Sequence, residues 1–192
     1  ERMASELGQG GVTVVSGLAR GVDAAAHYAA LEAGGRTIAV LGSGVDLIYP
    51  SEHRHLAERI LEAGAIVSEQ PPGAKPDAQN FPARNRIISG MSLGVVVIEA
   101  PLRSGALITA SFAADQGREV FVIPGSVLAQ NSEGTNLLLR DGARIVRSGR
   151  DVMEDLRLGD EHQAQSRQSV MPLAPNEARL LGALSDEPKH ID

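Results

Sequence analysis

An arginine inside a glycine-rich turn is the first feature of this chain that could do chemistry. The run Ser16-Gly17-Leu18-Ala19-Arg20-Gly21 follows an apolar β-branched segment and precedes an alanine-rich one. This order predicts a strand, a turn and a helix, whose backbone N–H groups and positive helix start attract a phosphate. We therefore take Ser16, Gly17, Arg20 and Gly21 as candidate phosphate ligands, since a guanidinium fork also matches phosphate oxygens.

Asp23 lies at the start of the same predicted helix and is included in the candidate site. We expect its carboxylate to complement the helix N-terminus rather than to act as a catalytic acid. His27 follows four residues later on the same helix face, so a hydrogen bond between His27 and Asp23 is expected. A catalytic role for His27 is the alternative.

A second basic segment reads Phe81-Pro82-Ala83-Arg84-Asn85-Arg86. Arg84 and Arg86 are two residues apart, so on a helix they point to different sides. One would contact a phosphate, while the other holds a loop or a carboxylate such as Glu99. Asn85 suits a base edge or a backbone group. A buried arginine pair that only fixes the loop stays open as the alternative, as do base stacking and core anchoring for the phenylalanine.

Two further turns complete the candidate site. Gly42-Ser43-Gly44 lacks the side chains that would keep a backbone away from a ligand, although a plain turn explains it equally well. Ser104-Gly105 stands at a predicted helix start and offers N–H groups to an anion. All these turns follow predicted strands, so they would open at the carboxyl edge of the sheet, where ligands of open α/β sheets bind.

The elements that must position these residues alternate along the chain. Short apolar runs predict strands at 12–16, 37–41, 65–68, 95–99, 119–123 and 144–146. Helices are predicted near 21–33, 51–63, 84–92, 104–117, 132–140 and 150–157. The pattern predicts an α/β fold, with a doubly wound and mostly parallel sheet of Rossmann-like type.

Several linked motifs resemble the DNA-processing protein A family, also called DprA or Smf. They are Ser16-Gly17-x-Ala19-Arg20-Gly21-x-Asp23-x-x-Ala26-His27, Gly42-x-Gly44-x-Asp46-x-x-Tyr49-Pro50, Ser68-Glu69, Phe81-Pro82-x-Arg84-Asn85-Arg86, Ser104-Gly105-x-x-x-Thr109-Ala110 and Pro124-Gly125. The resemblance implies a Rossmann-like domain that binds single-stranded DNA, loads the recombinase RecA onto it and forms homodimers. It implies no catalysis, no cofactor and no metal. It also implies a preceding strand that ends in a Gly-Ser/Ala-Arg turn, which is missing from this sequence.

Composition limits how DNA could be bound. The formal charge is −6 and aromatic residues make up 3%, which excludes bulk electrostatic attraction and a broad stacking surface. Binding would therefore depend on a local arginine cluster and backbone amides. The chain has no cysteine, no signal pattern and no apolar stretch that could span a membrane, so we expect a soluble, cytoplasmic protein without membrane partners.

Three segments are expected. Residues 1–156 form the Rossmann-like DNA-binding domain, 157–172 a polar, glutamine-rich linker, and 173–192 the start of a truncated C-terminal winged-helix domain. The opening residues resemble the middle of a helix.

Other functions fit the motifs less well. The Gly-x-x-x-Gly spacing differs from the dinucleotide-binding fingerprint. Gly90-Met91-Ser92-Leu93-Gly94 follows a helix, the reverse of the order in serine hydrolases. The pair at His53 and His55 lacks a third metal ligand. A phosphoribohydrolase-like nucleotide-processing enzyme is an alternative, although Pro124-Gly125-Ser126 lacks its Pro-Gly-Gly-x-Gly-Thr-x-x-Glu motif. A small-nucleotide sensor that uses the same cleft is another.

Overall fold

Strands and helices alternate through the computed structural model, which describes residues 1–158. The strands are β1 (Val14–Ser16), β2 (Thr37–Leu41), β3 (Ala65–Ser68), β4 (Gly94–Val97), β5 (Glu119–Val122) and β6 (Arg144–Ile145). The helices are α1 (Arg2–Gln9), α2 (Val22–Glu32), α3 (Arg54–Ala63), α4 (Asn80–Gly90), α5 (Gly105–Asp115), α6 (Glu133–Arg140) and α7 (Gly149–Asp155). Short 3-10 turns, Ser51–His53 and Gln130–Ser132, precede α3 and α6. The predicted α/β fold is confirmed.

All strand pairing within the described residues is parallel. The strands form two three-stranded sheets, in the orders β1-β2-β3 and β4-β5-β6. Ser16 pairs with Ala39, and Leu41 with Ser68, so the ends of the first three strands lie along one edge. The single continuous sheet that we expected is thus two sheets here, because no ladder of the described residues joins β1 to β4.

Helices cover both faces of the second sheet. Val95 and Val97 of β4 face a core cluster with Ala110 of α5. Val96 faces the opposite cluster, where Met3 of α1 packs. The continuous apolar runs of the sequence result from this two-sided burial. The first sheet has its own core, which includes Ala39, Leu41, Leu56 and Ile60.

Two element boundaries differ from the sequence prediction in informative ways. Helix α4 begins at Asn80, four residues earlier than expected. Pro82 is tolerated there because the first turn of a helix does not use its N–H groups internally. Strand β1 begins at Val14 rather than Val12, because the Val12 amide donates to the Leu7 carbonyl at the end of α1.

The predicted winged-helix segment, 173–192, lies outside the described residues, and so does the predicted linker from residue 159 onward. Among residues 1–158, no helix is long and apolar enough to cross a membrane.

Candidate nucleic-acid interface

The turn after β1 is held by a carboxylate of the chain itself. Asp23 accepts hydrogen bonds from the backbone amides of Gly17 (2.9 Å) and Ala19 (3.2 Å). Leu18, between them, has a positive φ of 59° and is fully buried in the first core. Gly21 has a φ of 84°. The expectation that the turn amides point freely at a phosphate is therefore wrong for Gly17 and Ala19, because Asp23 already occupies them.

A buried guanidinium lies directly behind this turn. Arg84 is only 7% exposed. Its Nη1 donates to the carbonyls of Gly17 (2.9 Å) and Val40, at the ends of β1 and β2. Its Nε donates to the Asn85 side chain (3.2 Å). A Cβ on Gly17 would lie 2.5 Å from Nη2 of Arg84, so any side chain at this position would displace the guanidinium from its present contacts.

No carboxylate accepts a hydrogen bond from Arg84 within the described residues. The oxygens that accept from this guanidinium belong to two backbone carbonyls and one amide, and none of the hydrogen bonds described leaves from Nη2. Burial lowers the pKa of Arg84 from its ordinary value, and the charge of nearby Asp23 partly offsets this. The result is a cation at the sheet edge that an external anion would stabilise.

Two exposed arginines flank this cation, and each is bound to a glutamate. Arg20 donates from Nε (2.6 Å) and Nη2 (2.8 Å) to the two carboxylate oxygens of Glu52. Arg86 donates from Nη2 to Glu69. The prediction that Arg84 and Arg86 point to different sides of a helix is confirmed. The suggested partner Glu99 is wrong, because the carboxylate that Arg86 contacts is that of Glu69, directly after β3.

The turn Gly42-Ser43-Gly44 is covered by other parts of the chain. A Cβ on Gly42 would lie 2.9 Å from the Phe81 ring, and one on Gly44 would lie 2.7 Å from the Pro71 carbonyl. The Ser43 side chain is buried and donates to the Leu47 carbonyl (2.7 Å). Packing of the chain against itself therefore accounts for these glycines, and a ligand contact there stays a prediction.

The loop before α4 is fastened to this turn. Asp46 accepts from the Gly73 amide (2.9 and 3.0 Å). Phe81 is half-buried and lies against Tyr49, with 5.6 Å between ring centroids. These contacts favour an anchoring role for Phe81 over base stacking.

Asn85 extends the cluster to the second sheet. It accepts from Arg84 and donates from Nδ2 to the Gly105 carbonyl (3.4 Å). Ser104 is the N-cap of α5, and its hydroxyl accepts from the Ala106 amide (3.2 Å). The consecutive residues Arg84 and Asn85 thus connect the turns after β1 and β4. Ser16 ends β1 and is half-buried.

The expected His27–Asp23 hydrogen bond is wrong. His27 is fully buried, and its Nδ1 lies 2.6 Å from the Thr37 hydroxyl. Because that hydroxyl donates to the Val14 carbonyl (2.8 Å), Nδ1 must carry the proton and donate to Thr37. Nε2 is buried without a partner among the described residues. Burial lowers the pKa of His27 to about 4, so the ring is neutral and structural.

Sequence reasoning assigned no role at the site to three acidic residues of this region. Glu52, Glu69 and Asp46 each hold a donor group near the carboxyl edge of the first sheet. Glu69 and Asp46 belong to motifs with a recognisable pattern, but nothing in the local sequence marks Glu52.

No group of three or more metal-binding side chains occurs within residues 1–158.

A parallel α/β fold with a buried guanidinium at the carboxyl edge of its first sheet defines a Rossmann-like protein. The sequence comparison gives the family. The model of the family described as DNA recombination-mediator protein A matches residues 1–157, and the chain belongs to this family.

Similar proteins agree with this assignment. The chain is 53% identical over 150 residues to protein Smf of Escherichia coli K12, covering 78% of this chain and 40% of that protein. It is similar to the X-ray structure of DNA processing protein A (DprA) from Streptococcus pneumoniae, with a TM-score of 0.72, 46% identity and coverage of 79% and 55%.

A second solved structure concerns the single-stranded DNA binding mode of DNA processing protein A from Helicobacter pylori. Its TM-score is 0.73 at 33% identity, with coverage of 82% of this chain and 71% of that one. The chain spans about 40 to 50% of the length of curated relatives such as those from E. coli and S. pneumoniae.

Proposed function

We propose that this chain binds single-stranded DNA at the carboxyl edge of β1 and β2 and acts, without catalysis, as a recombination mediator. The observation that carries the proposal is Arg84. It is buried, positively charged and donates only to neutral oxygens among the described residues. Burying a charge is costly unless an opposite charge compensates it. A phosphodiester beside Nη2 would supply that charge.

Two arginines extend the site along the edge. Arg20 and Arg86 are 65% and 49% exposed at their side chains, so both can reach successive phosphates of a strand. The net charge of −6 keeps the number of phosphate contacts small. A single strand, unlike a duplex, can bend so that neighbouring phosphates approach these fixed positions.

The Helicobacter pylori relative supports the choice of ligand, because its solved structure concerns single-stranded DNA binding. The finer parts of the proposal follow from the family. The chain would hand its strand to RecA, in natural transformation or general recombination, in the cytoplasm. A phosphoribohydrolase-like enzyme and a small-nucleotide sensor are the competing functions.

Homodimer formation is also part of the proposal. Ile145 of the edge strand β6 is 59% exposed, and Leu137, Leu138 and Leu139 of α6 are all half-buried. The three consecutive leucines give α6 more apolar surface than one sheet face requires. Pairing two copies by two-fold symmetry would bury it.

Fluorescence anisotropy with single-stranded DNA, duplex DNA and a nucleoside monophosphate tests the proposal. We expect the tightest binding to the single strand. Replacing Arg20 and Arg86 together by alanine should weaken it at least about tenfold, since hydrogen bonds to charged groups contribute about 1.5–3 kcal/mol each. The matched control is the double variant Arg36→Ala and Arg140→Ala, because both exposed arginines precede strands and lie at the opposite edge.

Equal losses in the two double variants would contradict the assignment of the site. Release of free base from nucleoside monophosphates would favour the enzyme instead. Tight binding of the nucleotide with no binding of the strand would favour the sensor.

A further inference from the structure

Donor groups along the carboxyl edge of the first sheet already hold carboxylates of the same chain. Asp23 binds the turn amides, Glu52 binds Arg20 and Glu69 binds Arg86. Each of these carboxylates occupies a donor group near which the proposed function requires a phosphate oxygen. Arg84 is the exception, since the hydrogen bonds described for it involve no carboxylate.

The Arg20–Glu52 pair has the geometry of a bound oxyanion. Two parallel N–H···O bonds of 2.6 and 2.8 Å join the guanidinium to both carboxylate oxygens. A phosphate uses the same fork in the same bidentate way. The hydrogen bond from Arg20 is also the largest cause that lowers the pKa of Glu52, so the glutamate stays ionised at neutral pH. Arg20 therefore cannot make this contact with DNA while Glu52 holds it.

The two glutamate pairs differ from the Asp23 contact in accessibility. The side chains of Arg20 and Glu52 are 65% and 52% exposed, and those of Arg86 and Glu69 are 49% and 47% exposed. Exposed ion pairs contribute only about 0.2–1 kcal/mol, so a phosphate can displace them. Asp23 instead binds backbone amides of a turn that contains the buried Leu18, and we assign it to the structure of that turn.

We propose that Glu52 and Glu69 are affinity-limiting residues, which occupy Arg20 and Arg86 in the free protein and are displaced when phosphates of the strand bind. This inference rests on the proposed function. A strand that is anchored at Arg84 presents its next phosphates at high local concentration. These phosphates then displace Glu52 from Arg20 and Glu69 from Arg86. The same carboxylates then compete with the strand, which favours its release to a further protein.

Salt dependence distinguishes this exchange from a general charge effect. A phosphate that binds a free arginine releases a counterion from the DNA, with a slope of about −0.7 per contact for single strands. When the phosphate displaces a glutamate, salt also weakens the arginine–glutamate pair that must break, so binding depends less on salt than at a free arginine. Glu52→Gln and Glu69→Gln should each therefore steepen the slope of log K against log salt, by at most about 0.7.

The experiment measures binding of a single-stranded oligonucleotide at several salt concentrations for wild type, Glu52→Gln and Glu69→Gln. The matched control is Glu119→Gln. Glu119 pairs with Arg144 at 3.1 Å, has a similar 43% exposure, and lies at the start of β5, at the opposite edge. We expect each site variant to bind up to about fivefold tighter at low salt, with the steeper slope. The control should show neither change.

A double-mutant comparison gives a second measurement. Arg20→Ala should weaken binding less in the wild-type background than in the Glu52→Gln background, because only the latter has a free arginine to lose. Equal losses in both backgrounds, or site variants that behave like Glu119→Gln, would overturn the inference while binding by the wild type still supports the proposed function. Absence of single-stranded DNA binding in wild type and every variant would instead overturn the proposed function.

Discussion

The loops at the carboxyl ends of the two sheets differ in chemistry. At the ends of β1, β2 and β3, arginines and glutamates bind one another and the backbone. The loops after β4 and β5 expose apolar side chains more strongly, with Leu102, Val127 and Leu128 exposed by 55%, 83% and 93%, against 36% to 44% for Val45, Leu47 and Tyr49 after β2. The carboxyl ends of the two sheets therefore differ in charge and in exposed apolar surface, although both belong to the same fold. Anion binding is expected only where Arg84 and its neighbours lie.

The largest expected effect on stability and on DNA binding comes from replacing the buried Arg84 of α4. Arg84→Ala removes three hydrogen bonds from a charged donor, and we expect it to lower the free energy of unfolding by about 3 kcal/mol and to abolish DNA binding. Arg86→Ala removes only an exposed ion pair. It should change stability by less than about 1 kcal/mol while weakening binding. Urea denaturation and anisotropy measure the two effects. Similar stabilities of the two variants would contradict the different roles assigned to Arg84 and Arg86.

A second effect concerns pH and His27. Its pKa is about 4 in the folded protein and about 6.5 when unfolded, so below pH 6.5 the unfolded state binds more protons. Stability should therefore be intact above pH 6.5 and fall as pH drops towards 4, by up to about 3 kcal/mol. Asparagine at position 27 should flatten this dependence, measured by denaturation at pH 7 and pH 5. His55→Gln is the control, since His55 is exposed. An unchanged dependence in His27→Asn would contradict the assignment.

The smallest change in stability is expected for one of two neighbouring leucines of α6, Leu139. Leu138 packs against the core of the second sheet, so Leu138→Glu should destabilise the fold by about 2 kcal/mol. We expect Leu139→Glu to leave stability nearly unchanged but to abolish the proposed dimer, because the two side chains lie about 100° apart on a helix. Sedimentation at micromolar concentration tests this. A wild-type monomer with an intact fold would contradict the dimer.

The amino-acid sequence by itself predicted the alternation of strands and helices, because apolar runs and glycine turns are local signals. It also predicted that Arg84 and Arg86 diverge, since helical periodicity separates residues two apart. The start of α4 was missed, because Pro82 looks like a helix breaker unless its place in the first turn is known.

Only the tertiary structure decided which groups meet. Thr37 reaches His27 from the next strand, and Val40 reaches Arg84 across 44 residues. Glu52 comes to Arg20 from a different βα connection. A residue's type states what it can bind, but its partner depends on which elements pack together and on how deeply each group is buried. For that reason the sequence did not decide which arginine is buried, whereas in the structure Arg84 is a buried cation and Arg20 and Arg86 are held by glutamates.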